Sequence, residues 1–199
     1  MLAPKDDRMS AEDFVEWATH QKSRYELLDG VPIEMMTGAK MAHNIVVGNL
    51  SDALRAASKG HGCSTMTSDM GVICREYQVR YPDVVVDCSP VDPDTLAARN
   101  PVILVEVLSK STSQIDLTNK LDEYRSIPSV EMIVFVDPDF VSVKVYRRAS
   151  PENWLPEMYV ELSQKIAFPV IGATVALSAI YDTLSPRPFS EASTAHPRA

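Results

Sequence analysis

The sequence predicts a mixed α/β (α+β) domain, a mixed sheet flanked by helices, and three observations carry that expectation. The elements legible along the chain run helix, hairpin, helix, strands, helix, strands, an order that suits helices packed on a mixed sheet. Two runs, Tyr81-Pro82-Asp83-Val84-Val85-Val86-Asp87 and Pro101-Val102-Ile103-Leu104-Val105-Glu106-Val107-Leu108-Ser109, are almost continuously apolar and bounded by proline or turn residues. Strands buried on both faces read this way. Finally, 199 residues with 45% hydrophobic and 23% charged side chains suit one globular domain with a sizeable core.

Ser10 has the N-cap spacing, with Asp13 three residues on, and Phe14, Trp17 and Ala18 follow at helical spacing, so a helix is expected to about His20. Tyr25 to Met36 reads as a hairpin, because Asp29-Gly30 sits between alternating apolar residues. From His43 to Ala57, Ile45, Val46, Leu50, Ala53 and Leu54 mark an apolar helix face, which Gly60 and Gly62 close. Strands are expected at Cys63 to Thr67, Gly71 to Arg75, Tyr81 to Cys88 and Val102 to Leu108. Ser89 to Asn100, rich in Pro and Asp, reads as a surface loop or short helix. A helix from Ser111 to Tyr124 covers the sheet through Ile115, Leu117, Leu121 and Tyr124. Met132 to Pro138 is a further buried strand, and Ser142 to Tyr146 and Trp154 to Leu162 suit exposed hairpin strands. Val175 to Leu184 reads as a short closing helix. The expected organisation is a single domain over residues 1–184 and a disordered tail over 185–199, with no internal repeat.

The formal net charge of −8 removes any global positive field that would draw the chain to nucleic acid or an anionic membrane. A local basic face can coexist with an acidic whole. Cys63, Cys74 and Cys88 lack CxxC spacing and are odd in number, so they read as buried free thiols in a reducing compartment. No apolar run approaches the ~20 residues of a membrane span, and Met1 to Asp7 lack the apolar core of a signal peptide. A cytoplasmic protein with no membrane partner is expected.

Asp83 opens one buried strand and Glu106 sits near the end of the other. An ionised carboxylate in such a strand is costly unless something compensates it, and a divalent cation is the strongest compensation available. Neighbouring strands would let both acids converge on one hard cation, which takes oxygen ligands. Structural ion pairs also place acids in strands, so the carboxylates alone leave both readings open.

Glu26-Leu27-Leu28-Asp29-Gly30, Met41-Ala42-His43-Asn44, Tyr81-Pro82-Asp83, Val105-Glu106-Val107-Leu108-Ser109, Ser111-Thr112, Asp116, Lys120, Tyr124 and Val134-Phe135-Val136-Asp137-Pro138 together resemble the Uma2 family. That family is assigned to the PD-(D/E)XK nuclease superfamily as restriction-like endonucleases. The resemblance runs from about Ser10 to Leu184 and implies a restriction-endonuclease-like core. It implies that Asp83 and Glu106 are catalytic and ligate a metal, magnesium or manganese. The Val107 carbonyl supplies a further oxygen, and Glu26 either completes the shell or is an exposed hairpin carboxylate. The superfamily lysine would fall at Leu108, where no apolar side chain can orient a water. Lys120, on the helix after the strand, is the expected catalytic substitute, with Lys110 a weaker candidate in the turn. Asp116, one turn earlier, can hold the Lys120 ammonium. His43, opening a helix, is a supporting phosphate or water partner. Arg75, Arg80, Arg99 and Arg125 could contact a backbone phosphate, but they are scattered, as solvated arginines usually are. The implied function is a metal-dependent endonuclease that hydrolyses phosphodiester bonds of nucleic acid, DNA favoured, working as a homodimer. The alternative is a catalytically inactive nuclease-fold protein with a binding or regulatory role. A hydrolase of another phosphate ester is a third reading.

Overall fold

The computed structural model describes residues 8–36, 38–109 and 114–192, with residues 114 and 115 described by their backbone alone. Residues 1–7, Thr37, Lys110, Ser111 to Ser113 and residues 193–199 lie outside the described residues, and with them the Lys110 candidate, the Ser111-Thr112 motif and the end of the expected tail.

Helix α1 (Ala11–Ala18) starts where the capping pattern places it: Ser10 Oγ accepts from the Asp13 backbone N–H at 3.1 Å. The hairpin β1 (Tyr25–Leu28) and β2 (Val31–Glu34) turns through Asp29 and Gly30, both at positive φ. A type I′ turn requires that conformation at both positions. Helix α2 (Met41–Ser58) follows and ends through a 3-10 turn at left-handed Gly62. Strands β3 (Ser64–Thr67), β4 (Val72–Arg75), β5 (Gln78–Arg80), β6 (Val84–Asp87) and β7 (Pro101–Val107) lead to helix α3 (Gln114–Arg125). Beyond it run β8 (Met132–Asp137), β9 (Ser142–Ser150) and β10 (Asn153–Tyr159). The chain closes with β11 (Lys165–Phe168), β12 (Ala173–Ala176) and helix α4 (Leu177–Ile180).

The central sheet has the order β10-β9-β8-β7-β6-β3 and is antiparallel except for the parallel pair β7–β8. A parallel pair needs a crossover, and α3 is that crossover. One face of the sheet packs Val84, Val86, Ile103, Val105 and Val134 against Val46, Leu50 and Leu54 of α2. The other packs Val85, Leu104, Ile133 and Phe135 around Tyr124 of α3. The small sheet β2-β1-β5-β4 holds Leu27 and Val79 against Ala11 and Phe14 of α1. The expected mixed sheet flanked by helices is what forms.

Three expectations need correction. Val175 does not open a helix: it pairs with Ile166 across β11–β12, and the helix spans only Leu177–Ile180. The alternation of exposed and buried positions in Lys165–Phe168 marks a strand, and left-handed Gly172 turns the chain back onto it. Second, Cys63 and Cys88 are not free thiols; they form a disulfide. The antiparallel pairing of Ser64 with Asp87 brings their flanking residues together. Only Cys74 is free, and it is buried. Third, the chain past Leu184 does not leave the body at once, because Arg187 bridges Phe140 through Val141 N–H to Arg187 O at 2.8 Å. Among the described residues, no helix is long and apolar enough to cross a membrane.

Candidate active site

The register of β6 and β7 creates the site. Val84 pairs with Val105 and Val85 with Leu104. Asp83 immediately precedes β6 and Glu106 follows Val105, so the two acids lie at the same end of the strand pair, near enough for the Asp83 charge to act on Glu106. The Val107 backbone N–H donates to Asp83 Oδ2 at 2.7 Å, which fixes the aspartate over the end of β7. Glu106 shares its face with Leu104, so it points under α3. There Lys120 and Tyr124, one helical turn apart, reach it together. Lys120 Nζ donates to Glu106 Oε2 at 3.0 Å, and the Tyr124 hydroxyl donates to Oε1. Leu108, where the resemblance would put a strand lysine, packs against the apolar cluster that holds Tyr124. The ammonium is thus delivered from the helix.

Glu26 arrives from β1 and is not an exposed hairpin carboxylate. Its Oε2 accepts from Arg80 Nη1 at 2.8 Å, while Oε1 is buried without a hydrogen bond, 3.9 Å from Lys120 Nζ. His43, in the first turn of α2, sets Nε2 3.4 Å from Asp83 Oδ2. Asp116 Oδ1 lies 3.6 Å from Arg80 Nη1, so it faces the guanidinium while its charge also acts on Lys120. All seven expected positions therefore meet at one corner of the sheet.

Sequence reasoning missed the second layer. Arg80, taken for a solvated arginine, is 3% exposed. Its Nε and Nη2 grip Glu123 at 2.6 and 2.9 Å, and Gln78 donates to the same carboxylate at 2.6 Å. The spacing of Asp116, Lys120, Glu123 and Tyr124 on one face of α3 was the available signal. By contrast, Arg99 pairs with Asp92 at the surface, and Arg125 lies over the rings of Tyr146 and Trp154.

Burial pushes the Glu106 carboxyl up to about 7 and Asp83 adds to the rise, against the pull of Lys120 and Tyr124. Burial would lower the Lys120 ammonium, but Glu106, Glu26 and Asp116 outweigh it and hold the lysine charged above its ordinary range. The hydrogen bond to Asp83 raises His43 despite its burial, and the Val107 backbone and Glu106 act in the same direction. Burial, followed by the Glu106 charge, lifts the Tyr124 phenol well above its ordinary value. Among the described residues, no three His, Cys, Asp or Glu side chains form a ready-made metal shell. The acids are engaged by Lys120, Tyr124, His43 and Arg80 instead.

The model of the family "Uma2: Putative restriction endonuclease" matches residues 11–178. The chain belongs to the Uma2 family. Two relatives from Synechocystis sp. carry the names uncharacterized protein slr1290 and sll1609. The first is 28% identical over 180 residues, 89% of this chain and 94% of its own. The second is 27% identical over 151 residues, 74% of this chain and 85% of its own. A crystal structure of "a putative nuclease belonging to DUF820 from Anabaena variabilis" shares the fold, with a TM-score of 0.67 at 17% identity over 86% of this chain and 97% of that one. The Uma2 assignment and the restriction-endonuclease-like architecture agree with the motifs quoted above.

Proposed function

We propose that this Uma2 chain is a metal-dependent endonuclease that hydrolyses phosphodiester bonds of nucleic acid, DNA favoured. The observation that carries the reading is the placement of Asp83 and Glu106 at one end of the β6–β7 pair, with Asp83 tied to the Val107 N–H and Lys120 Nζ 3.0 Å from Glu106. The donor set fits a divalent cation. Glu26 Oε1 is a buried acceptor with no hydrogen bond. Among the described residues, the four carboxylates of Glu26, Asp83, Glu106 and Glu123 meet Arg80, Lys120 and His43 as cations. Hard oxygen donors with excess negative charge suit magnesium or manganese. Asp83, Glu106, Glu26 and the Val107 carbonyl would hold it. Such an ion lowers the pKa of a bound water and draws charge from a phosphoryl oxygen.

The side chains divide the remaining work. Lys120 is held as an ammonium, so it serves as a donor and not as a base. It orients the attacking water and stabilises the charge that develops on the phosphoryl oxygens. Tyr124 keeps Glu106 in one rotamer, and His43 does the same for Asp83. The second reading, a nuclease fold retained for binding, is favoured by one observation: both Glu106 oxygens are already occupied, by Lys120 and Tyr124. We further propose a homodimer, which would let two sites act on two strands, with light scattering of the purified chain as its check.

The test is calorimetric titration of magnesium or manganese into wild type and Glu106→Ala, with cleavage of plasmid and single-stranded DNA in the same samples. Binding and cleavage in wild type only support the nuclease. Binding without cleavage favours the second reading. No binding makes the carboxylates structural and ends the enzyme claim.

A further inference from the structure

The buried ion cluster behind the acids divides its donors unequally. Arg80 ends β5 and offers five N–H donors in a planar fork. Glu123 takes Nε and Nη2 side by side, at 2.6 and 2.9 Å, and Gln78 completes that carboxylate. This pair alone neutralises the guanidinium. Glu26 is therefore not needed to neutralise Arg80, yet Nη1 reaches it at 2.8 Å, with Asp116 Oδ1 farther off at 3.6 Å.

Its two oxygens are treated differently. Oε2 is tethered, while Oε1 is buried, makes no hydrogen bond and lies on the side of Lys120, at 3.9 Å. A pair built only to hold elements together would satisfy both oxygens, as Glu123 is satisfied, because an unpaired buried acceptor is costly. The rigid fork instead sets the rotation of the Glu26 carboxylate and leaves one oxygen on the side of Lys120, whose ammonium also meets Glu106 at 3.0 Å.

We propose that Arg80 is the positioning residue of this site, aiming Glu26 Oε1 at the divalent cation and acting on the cation only through Glu26. The proposal rests on the cation reading above. A lysine cannot replace it: a compact ammonium on a flexible stem cannot grip Glu123 with two parallel bonds and orient Glu26 with a third.

The experiment is a double-mutant cycle on the full chain, with manganese alone as the probe and its dissociation constant from calorimetry as the readout. The four proteins are wild type, Arg80→Lys, Glu26→Gln and the double variant. Arg80→Lys keeps the charge, so a loss of affinity reads geometry. Changes behind a metal ligand typically weaken binding roughly 10–100-fold. A loss of about tenfold or more is expected in the wild-type background, and none once Glu26 is glutamine. Circular dichroism and urea midpoints check folding. If Arg80→Lys does not fold, Glu123→Gln replaces it, loosening the far side of the fork with the same expected pattern. A loss that persists undiminished beside Glu26→Gln, or wild-type affinity in Arg80→Lys, overturns the proposal and leaves Arg80 a structural ion pair. Wild type that takes up no manganese overturns the cation reading itself, and the role of Arg80 falls with it.

Discussion

Replacing Glu106 with glutamine should flatten the metal-free protein's loss of stability as pH rises. Glu106 is 7% exposed, with an ammonium and a phenol as its polar partners. Burial costs its carboxylate more than Lys120 returns, and the group titrates near 7 in the folded chain against an ordinary 4.5. A folded-state value above the unfolded one favours the native state while the group is protonated. That contribution is complete below 4.5 and is lost as pH climbs through about 7. At about 1.4 kcal/mol per pH unit, the gap amounts to roughly 3 kcal/mol. His43 is raised as well, so its contribution has the same sign. The wild-type slope therefore mixes both groups, whereas the difference from Glu106→Gln reports the glutamate together with its charge acting on His43, the smallest of the contributions that raise that histidine. Urea unfolding of both proteins in chelator, at steps from pH 4.5 to 8, measures that difference. The variant should gain about 3 kcal/mol on wild type across the range. A flat difference, or one that favours wild type at high pH, would mean that the Lys120 ion pair outweighs burial and that the argument is wrong.

Other expectations follow from the same contacts. Lys120→Met should lower plasmid cleavage by roughly 10²–10³-fold, with manganese affinity by calorimetry close to wild type; unchanged cleavage would take the lysine out of the chemistry. Asp83→Ala should abolish manganese uptake and leave the Val107 N–H without its acceptor, costing about 1–3 kcal/mol in a urea melt while the far-ultraviolet spectrum stays native. The Cys63–Cys88 disulfide closes 25 residues, so the Cys63→Ser/Cys88→Ser chain should unfold about 3 kcal/mol more easily than the oxidised protein. Equal stability of the two, with thiol titration confirming oxidation of wild type, would refute that estimate.

The parts of the fold readable in the sequence are those that a local pattern specifies. The double-faced apolar runs of β6 and β7 carry their own burial signal, and Ser10 and Asp29-Gly30 specify a cap and a turn by local chemistry. Asp83 and Glu106 stood out because a charge in such a strand conflicts with its surroundings. Arg80 gave no such signal, since an arginine after two strand residues reads the same whether it faces water or Glu123. Its burial is decided by α3, which returns more than 30 residues later to lay Glu123 on it. The disulfide was missed for a related reason: the spacing of Cys63 and Cys88 says nothing until β3 and β6 are known to pair. At β12, Val175, Leu177 and Ile180 suit a short helix as well as a strand that turns into one, and only β11 decides between them.

Helix α3 is the link that parallel pairing of β7 and β8 demands, and it also brings Lys120, Glu123 and Tyr124 to the acids. Closing the sheet and arming the site are therefore one event. A chain caught with β6 and β7 paired and α3 undocked would expose its acids without their ammonium. If the chain cleaves nucleic acid as proposed, partly folded or nicked copies should then be harmless to it. On the proposed nuclease reading, catalytic competence would report that the long-range contact between α3 and β7 has formed.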